Sequence, residues 1–512
     1  MSGGLRATVL SGRFLGNRGE GAAGAEELAD FLAEPSAAMA LRRWYGDAAL
    51  GRILAHDGSA EGRADAVARL EETVDRDIAA LDRLIAAQLD AVLHHDRLRR
   101  LEGSWRGLHW LAERVPFGAR VRLRLLTARW TEICRDLDRA VEFDQSILFR
   151  KIYEEEFGTP GGEPYGMLCA DYEVRHAPAP GHPTDDVAAL DALAGIAAAA
   201  FAPLAIAAAP PLLGLDSWAE AGPAADLANA LRMPDRQRWR RLQEREDTRF
   251  LAVLLPRTLA RAPWPLDGAR PDGFCYREHA PSVAARVWTS PVYALAAVAV
   301  RAFARNGWPA EIRGAAIAEE AEGGVVDEIV EERFSSDPPG RTARPPVELA
   351  LTDEQERLAI EAGLLPFIGL EGLPEGTFAA APSLHRPPRM AGEAADANQR
   401  LSAQFNAMLC VSRFAHCIKL MGRDMVGAFR TAEDIQGRLQ RWLAEFTNSS
   451  GSAAGEMGAR YPLRSARVEV REKPGKPGVF GCVIQLQPHY QLDEVGAAFR
   501  LVTDLQAARA AA

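Results

Sequence analysis

Residues 142–166 read Glu-Phe-Asp-Gln-Ser-Ile-Leu-Phe-Arg-Lys-Ile-Tyr-Glu-Glu-Glu-Phe-Gly-Thr-Pro-Gly-Gly-Glu-Pro-Tyr-Gly. Ile147, the run Phe149–Ile152 and Phe157 have the spacing of a helix, which Gly158 ends. Pro160-Gly161-Gly162 then turns the chain into an extended run at Met167–Tyr172. The stretch also admits a chemical reading. Glu154, Glu155 and Glu156 run into a Gly/Pro cluster that holds Glu163 and Tyr165, and two carboxylates can work as an acid and base pair. Nothing nearby supplies a nucleophile or a cofactor site, so the residues by themselves favour helix, turn and strand over catalysis.

Working outward, residues 96–380 alternate helices and strands. Gly103 and Gly107 interrupt the first segment, with Trp105 and Trp110 supplying bulk. Arg120–Leu126 sets Val121, Leu123 and Leu125 against Arg122 and Arg124, the period of a half-buried strand. A helix over Thr131–Leu137 leads into the opening stretch. After Met167–Tyr172 come an alanine-rich helix from Val187, strands at Leu204–Ala208 and Arg249–Leu255, helices near Ala224–Leu231 and Val292–Asn306, and a segment at Glu348–Leu351. This rhythm predicts an α/β domain with a mostly parallel or mixed sheet. Residues 262–281 and 331–347 are loops, and the stretch 371–397, with Pro374, Pro382, Pro387 and Pro388, marks the main domain boundary.

On the N-terminal side, residues 1–95 read as a helical region. Residues 1–24 carry no period. A short amphipathic helix at about 25–35 presents Leu28, Phe31 and Leu32 and stops near Pro35; Met39, Leu41 and Trp44 mark a second. The long helix 66–95 places Val67, Leu70, Val74, Ile78, Leu81, Ile85, Leu89 and Val92 three or four apart, one apolar stripe on roughly seven turns. One stripe implies one partner surface, in this chain or in another subunit.

Residues 381–512 read as an α+β domain. A helix over Asn398–Met421 has core positions Leu401, Phe405, Met408, Ala415 and Ile418. Thr431 caps the next helix with Asp434 three residues on, and Ile435, Leu439, Trp442, Leu443 and Phe446 share its face. Ala466–Glu472 and Val479–Gln487 form a hairpin, 466–487, around Lys473–Gly478. Val468 and Val470 on one strand, and Phe480, Cys482, Ile484 and Leu486 on the other, supply its apolar positions. A two-stranded ribbon is marginal alone, so strands from another chain are expected at its edges. A last helical segment is expected over Leu492–Ala508. The fold class is therefore α/β with α+β elements.

The 512 residues allow two to four domains, and 48% hydrophobic content supports a large core. A net charge of −10 argues against nucleic-acid binding. Six scattered cysteines without a Cys-x-x-Cys pair fit reduced cytoplasmic thiols. No secretory signal is evident, and Val187–Leu215 is too interrupted by Asp191, Pro203, Pro210 and Pro211 to insert in a membrane. Phosphate-loop, nucleophile-elbow and zinc spacings do not occur. His94 and His95, like His416 and Cys417, are helix neighbours whose side chains diverge. No catalytic residue, metal site or cofactor is assigned.

Several blocks, in order, resemble one family: residues 142–166, Leu101-Glu102-Gly103-Ser104-Trp105-Arg106-Gly107-Leu108-His109-Trp110, Leu213-Gly214-Leu215-Asp216-Ser217-Trp218, Glu244-Arg245-Glu246-Asp247-Thr248-Arg249-Phe250, Val411-Ser412-Arg413-Phe414-Ala415-His416 and Pro474-Gly475-Lys476-Pro477-Gly478. They resemble the large sheath subunit of the bacterial type VI secretion system, the TssC family (also VipB, ImpC or EvpB), from about residue 60 to the end. The resemblance implies a structural subunit without enzymatic activity. Such a subunit pairs with a small TssB subunit, polymerises helically around a tube of Hcp on a membrane-anchored baseplate, and contracts in the bacterial cytoplasm. It further implies that an N-terminal helix, here Leu28, Phe31 and Leu32, is gripped by the AAA+ ATPase ClpV, although that region lies outside the matching blocks. Strands of the hairpin would interlace between heterodimers, and the stripe of Val67, Leu70, Val74, Ile78, Leu81 and Ile85 would meet the TssB-like partner or a peripheral layer. A phage tail sheath protein, or an α/β enzyme built on acids 154–156, are the alternatives.

Overall fold

Leu-Ala-Ile-Ala-Ala and Leu-Ala-Val-Leu-Leu are uninterrupted apolar runs, as strands covered on both faces require. They form β2 (Leu204–Ala208) and β3 (Leu251–Leu255), and every residue of both is buried. With β1 (Leu168–Val174) and β7 (Leu365–Pro366) they make an all-parallel sheet in the order β1-β2-β3-β7. Alternate side chains sort to opposite faces. Leu204, Ile206, Leu251 and Val253 pack with the alanine-rich helix Asp186–Ala200, while Ala205, Ala252 and Leu254 pack with the helix Pro291–Asn306.

The computed structural model describes residues 4–12, 22–159, 161–222, 225–266, 273–314, 322–333, 336–338, 344–370, 372–388, 399, 402–426, 431–448, 460–472, 480–488 and 499–505. The chain divides into two compact units, Met1–Arg99 with Pro263–Arg286, and Arg100–Ala262 with Val287–Ala512. The mixture of helices and parallel sheet is the expected α/β class. No helix of the described residues is long and apolar enough to cross a membrane.

Four expectations are corrected. Gly103 and Gly107 do not interrupt their segment; both are buried within one helix, Asp96–Glu113. A Cβ at Gly103 would overlap the Trp288 carbonyl, and one at Gly107 would overlap Thr289 and Tyr293. The glycines are one turn apart and let the helix lie directly on β5 (Val287–Thr289). Arg120–Leu126 belongs to no strand ladder, and Leu123, Leu125 and Leu126 are exposed. The segment at Glu348–Leu351 forms no strand either. Instead Glu348 holds Arg257 by two hydrogen bonds of 2.6 and 2.8 Å. The helix expected over Leu492–Ala508 is replaced, within the described residues, by β12 (Phe499–Leu505), which pairs antiparallel with β11 (Phe480–Pro488). A ladder along the full length of that strand outweighs a weak helical period.

In the first unit, the aperiodic N-terminus contains a helix, Leu5–Leu10, with Leu5 buried. Helices Ala22–Leu32, Ala37–Tyr45, Asp47–Ile53 and Ala60–Leu93 follow. Three of the helices, Leu5–Leu10, Ala37–Tyr45 and Ala60–Leu93, meet at Asp77, a buried carboxylate that accepts two hydrogen bonds from Arg6 (2.7 and 2.6 Å) and one from the Trp44 indole (2.9 Å). The Arg6 bonds hold its carboxyl below the usual range, against the opposing effect of burial.

Candidate assembly surfaces

The opening stretch builds scaffold. Ser146 caps the turn at Ile147–Phe149, which runs on as a π-helix over Arg150–Gly158. Phe149, Tyr153 and Phe157 lie four residues apart and touch in turn, Phe149 stacked on Tyr153 at 4.9 Å between ring centroids and Tyr153 tilted against Phe157 at 5.3 Å. The ladder ends on the helix Phe405–Val426. There Lys419 Nζ lies 3.4 Å from the Phe157 ring centroid and donates to the Tyr153 hydroxyl at 3.1 Å. Burial lowers the Lys419 pKa to about 8. His416 is buried on the same helix and donates from Nε2 to the Ala200 carbonyl at 2.9 Å, a direction that follows from the carbonyl being only an acceptor. Its burial pushes its pKa down to about 4. Burial likewise raises the pKa of the adjacent Cys417 thiol. A neutral imidazole committed to a carbonyl and an un-ionised thiol are packing groups and make no nucleophile pair.

The acids of that stretch have partners as well. Glu163 accepts both contacts of Arg122 at 2.6 Å, and Glu156 pairs with Arg124. Glu154 and Glu155 are exposed. Arg245, within another of the quoted blocks, bridges Asp191 at 2.8 Å and Asp247 at 3.6 Å. Among the described residues, no group of three or more His, Cys, Asp or Glu could hold a metal ion.

The surfaces named for assembly lie as follows. Leu28 and Phe31 are half-buried, Phe31 with its ring 5.4 Å from Trp44, while Leu32 is 74% exposed. On the long helix, Leu70, Val74 and Leu81 are half-buried, and Val67, Ile78 and Ile85 are exposed, as is Val92 beyond them. The stripe is therefore divided: Ala66 and Asp77 mark the side packed in the chain, and Val67, Ile78, Ile85 and Val92 mark a free side.

Val468, Val470, Phe480, Cys482, Ile484 and Leu486 are all buried in the chain's own C-terminal core. β10 (Leu463–Glu472) pairs with β11, and β11 pairs with β12. The connecting residues 473–479 lie outside the described residues. Only the two outer strands of this sheet have edges left for another chain, and they differ. Gln440, on the helix Ala432–Ala444, donates to the Ala466 carbonyl at 2.9 Å and accepts from the Val468 amide at 3.0 Å. Gln436, one turn earlier, accepts from the Val470 amide at 3.0 Å. These side chains occupy the outward backbone groups of β10, and a strand cannot add where they sit. Among the described residues no strand lies beyond β12. Asp77 and the two glutamines are side chains whose structural hydrogen bonds sequence reasoning missed. Their only sequence signal is a polar residue at a helix position that can reach inward.

Comparison with known proteins completes the geometry. Residues 75–385 match the family model VipB, described as the EvpB/VC_A0108 tail sheath N-terminal domain. Residues 394–505 match VipB_2, the EvpB/VC_A0108 tail sheath gpW/gp25-like domain. The chain is 33% identical over 448 residues to the type VI secretion system sheath protein TssC1 of Pseudomonas aeruginosa, covering 86% of this chain and 87% of that protein.

Proposed function

Because this chain belongs to the VipB (EvpB/VC_A0108) tail sheath family of the type VI secretion system, we propose that it is the large subunit of a contractile sheath and catalyses no reaction. It pairs with a TssB-like small subunit, and the heterodimers polymerise helically around a tube of Hcp on a baseplate in the bacterial cytoplasm. Heterologous contacts that do not close into a ring generate such a filament. Contraction switches rigid bodies between two packings of the same interfaces.

The observation that carries this reading is the C-terminal sheet, closed at β10 by Gln436 and Gln440 and, among the described residues, open at β12. A sheet open on one side accepts a strand from one neighbour and in one direction, which suits a continuous helical lattice. Val468, Val470, Phe480, Cys482, Ile484 and Leu486 then hold the sheet on its own core, and the backbone of β12 makes the exchange. The proline-rich stretch 371–397 separates this domain, 381–512, from the α/β domain at 96–380. The free side of the long helix, with Val67, Ile78 and Ile85, meets the small subunit or the peripheral layer. The helix of Leu28, Phe31 and Leu32 is the handle for a ClpV-type ATPase. Its grip begins at exposed Leu32 and releases Phe31 from Trp44.

Coexpression with the small subunit of the same gene cluster tests the reading. Electron micrographs are expected to show long hollow tubules that neither chain makes alone. A compact soluble protein indifferent to that partner would refute it.

A further inference from the structure

Only four of the 60 Lys and Arg residues are lysines: Lys151, Lys419, Lys473 and Lys476. Arginine keeps its charge everywhere, whereas a lysine drawn partly out of water gives up its proton readily. Of the two lysines whose surroundings are described, Lys151 is exposed and Lys419 is half-buried. Lys419 Nζ lies 3.4 Å from the Phe157 ring centroid and 4.9 Å from that of Tyr153, and the Tyr153 hydroxyl at 3.1 Å fixes its direction. Among the described residues no carboxylate pairs with it. The charge that acts on it is a second cation, Arg423, one turn further along the helix Phe405–Val426. Arg423 has no carboxylate partner among the described residues either, and its Nη1 reaches the Thr159 carbonyl at 3.5 Å. In a chain of net charge −10, two neighbouring cations without an acid attract an anion. With its pKa at about 8, roughly a quarter of the Lys419 amine is unprotonated at about pH 7.5, against about one part in a thousand for an ordinary lysine. Tyr153, whose phenol burial raises, and His416, 5.5 Å from the Phe157 ring, are both neutral there.

We propose that Lys419 is a site of acylation by acyl phosphates, with Arg423 holding the phosphate and the rings of Phe157 and Tyr153 holding the amine. The Nζ lone pair attacks the acyl carbon and forms the amide bond. The carbon–oxygen bond to phosphate breaks, phosphate leaves with that electron pair, and Nζ releases one proton to water. The donor is a phosphate ester of the acid because its leaving group is the anion that the cation pair attracts. Acylation removes the charge over Phe157, and with it the cation–π contact that ties the π-helix to the helix Phe405–Val426. This chemistry needs the chain alone and stands apart from the sheath reading.

The purified full-length chain, incubated with acetyl phosphate or with N-hydroxysuccinimidyl acetate, which has no phosphate, provides the test. Peptide mass spectrometry reads the initial acetylation rate at each lysine. With acetyl phosphate at about pH 7.5, Lys419 is expected to react about tenfold faster than Lys151, because lower basicity and partial burial offset part of its larger unprotonated fraction. Its rate is expected to level off above about pH 8, whereas that of an ordinary exposed lysine keeps rising to about pH 10. Arg423→Gln is expected to slow Lys419 about fivefold with acetyl phosphate and to change its rate with the phosphate-free reagent by less than about twofold. Lys151 reacting as fast as Lys419 with acetyl phosphate would overturn the site. Equal Lys419-to-Lys151 rate ratios with the two reagents would overturn the choice of an acyl phosphate.

Discussion

Replacing Gln436 and Gln440 by alanine removes the closure of the β10 edge and nothing else large. Three hydrogen bonds disappear: Gln440 to the Ala466 carbonyl at 2.9 Å, and the Val468 and Val470 amides to Gln440 and Gln436, each at 3.0 Å. At about 1 kcal/mol net apiece they amount to roughly 3 kcal/mol. Alanine is the better helix former at both positions and returns a few tenths of a kcal/mol each, ~0.3 by the usual scales. The expected loss is therefore about 2 kcal/mol, read as a lower guanidinium midpoint at unchanged slope. Gln440→Glu sharpens the test. A carboxylate still accepts from Val468 but cannot donate to Ala466, so it is expected to cost about 1–2 kcal/mol through one lost bond and a repelled carbonyl. The freed edge has a second consequence: the double variant alone is expected to self-associate on size exclusion, as an unprotected strand edge does. A double variant that loses less than about 0.5 kcal/mol and remains monomeric would show that the glutamines do not guard this edge.

Three further outcomes are expected. Gly103→Ala ordinarily gains about 1 kcal/mol in a helix, but here its Cβ would collide with the Trp288 carbonyl, so denaturation is expected to show a net loss of about 2 kcal/mol or more. Asp77→Asn breaks the Arg6 pair and is expected to cost about 2 kcal/mol, limited by the partial exposure of Arg6. Because the folded carboxyl of Asp77 is depressed, its contribution is fully present above the ordinary carboxylate pKa and is lost as pH falls through the folded value; wild type and variant are expected to converge in acid when compared by thermal melts. His416 has the same sign by a different route. Its folded pKa of about 4 lies below the ordinary value, so between about pH 6.5 and 4 the unfolded chain takes up a proton that the folded chain refuses. Stability is expected to fall by about 3 kcal/mol more between pH 7 and 4 in wild type than in His416→Gln, and equal pH slopes in urea titrations would remove His416 from the account of acid lability.

Much of this protein was legible in its residues. The apolar runs at Leu204–Ala208 and Leu251–Leu255, the cap at Thr431 with Asp434, the end of the opening helix at Gly158 and the long helix with its stripe each rest on contacts within a few residues. Local contacts of this kind are encoded by period and turn chemistry. The family was also legible, because several short blocks in a set order are specific even where each alone is weak. The tertiary structure decided everything that depends on what lies opposite. Gly103 and Gly107 look like breaks until Trp288 and Thr289 are seen against them. Leu123 and Leu125 read as half-buried, and only the folded chain shows both of them exposed. Asp77 and the glutamines at 436 and 440 sit among many polar helix residues, and their roles appear only when Arg6, Trp44 and the edge of β10 are brought to them. Periodicity tells which side of an element is apolar. Whether that side meets the chain's own core, a glycine-thin contact or a partner is set by residues distant in sequence, and no local pattern contains them.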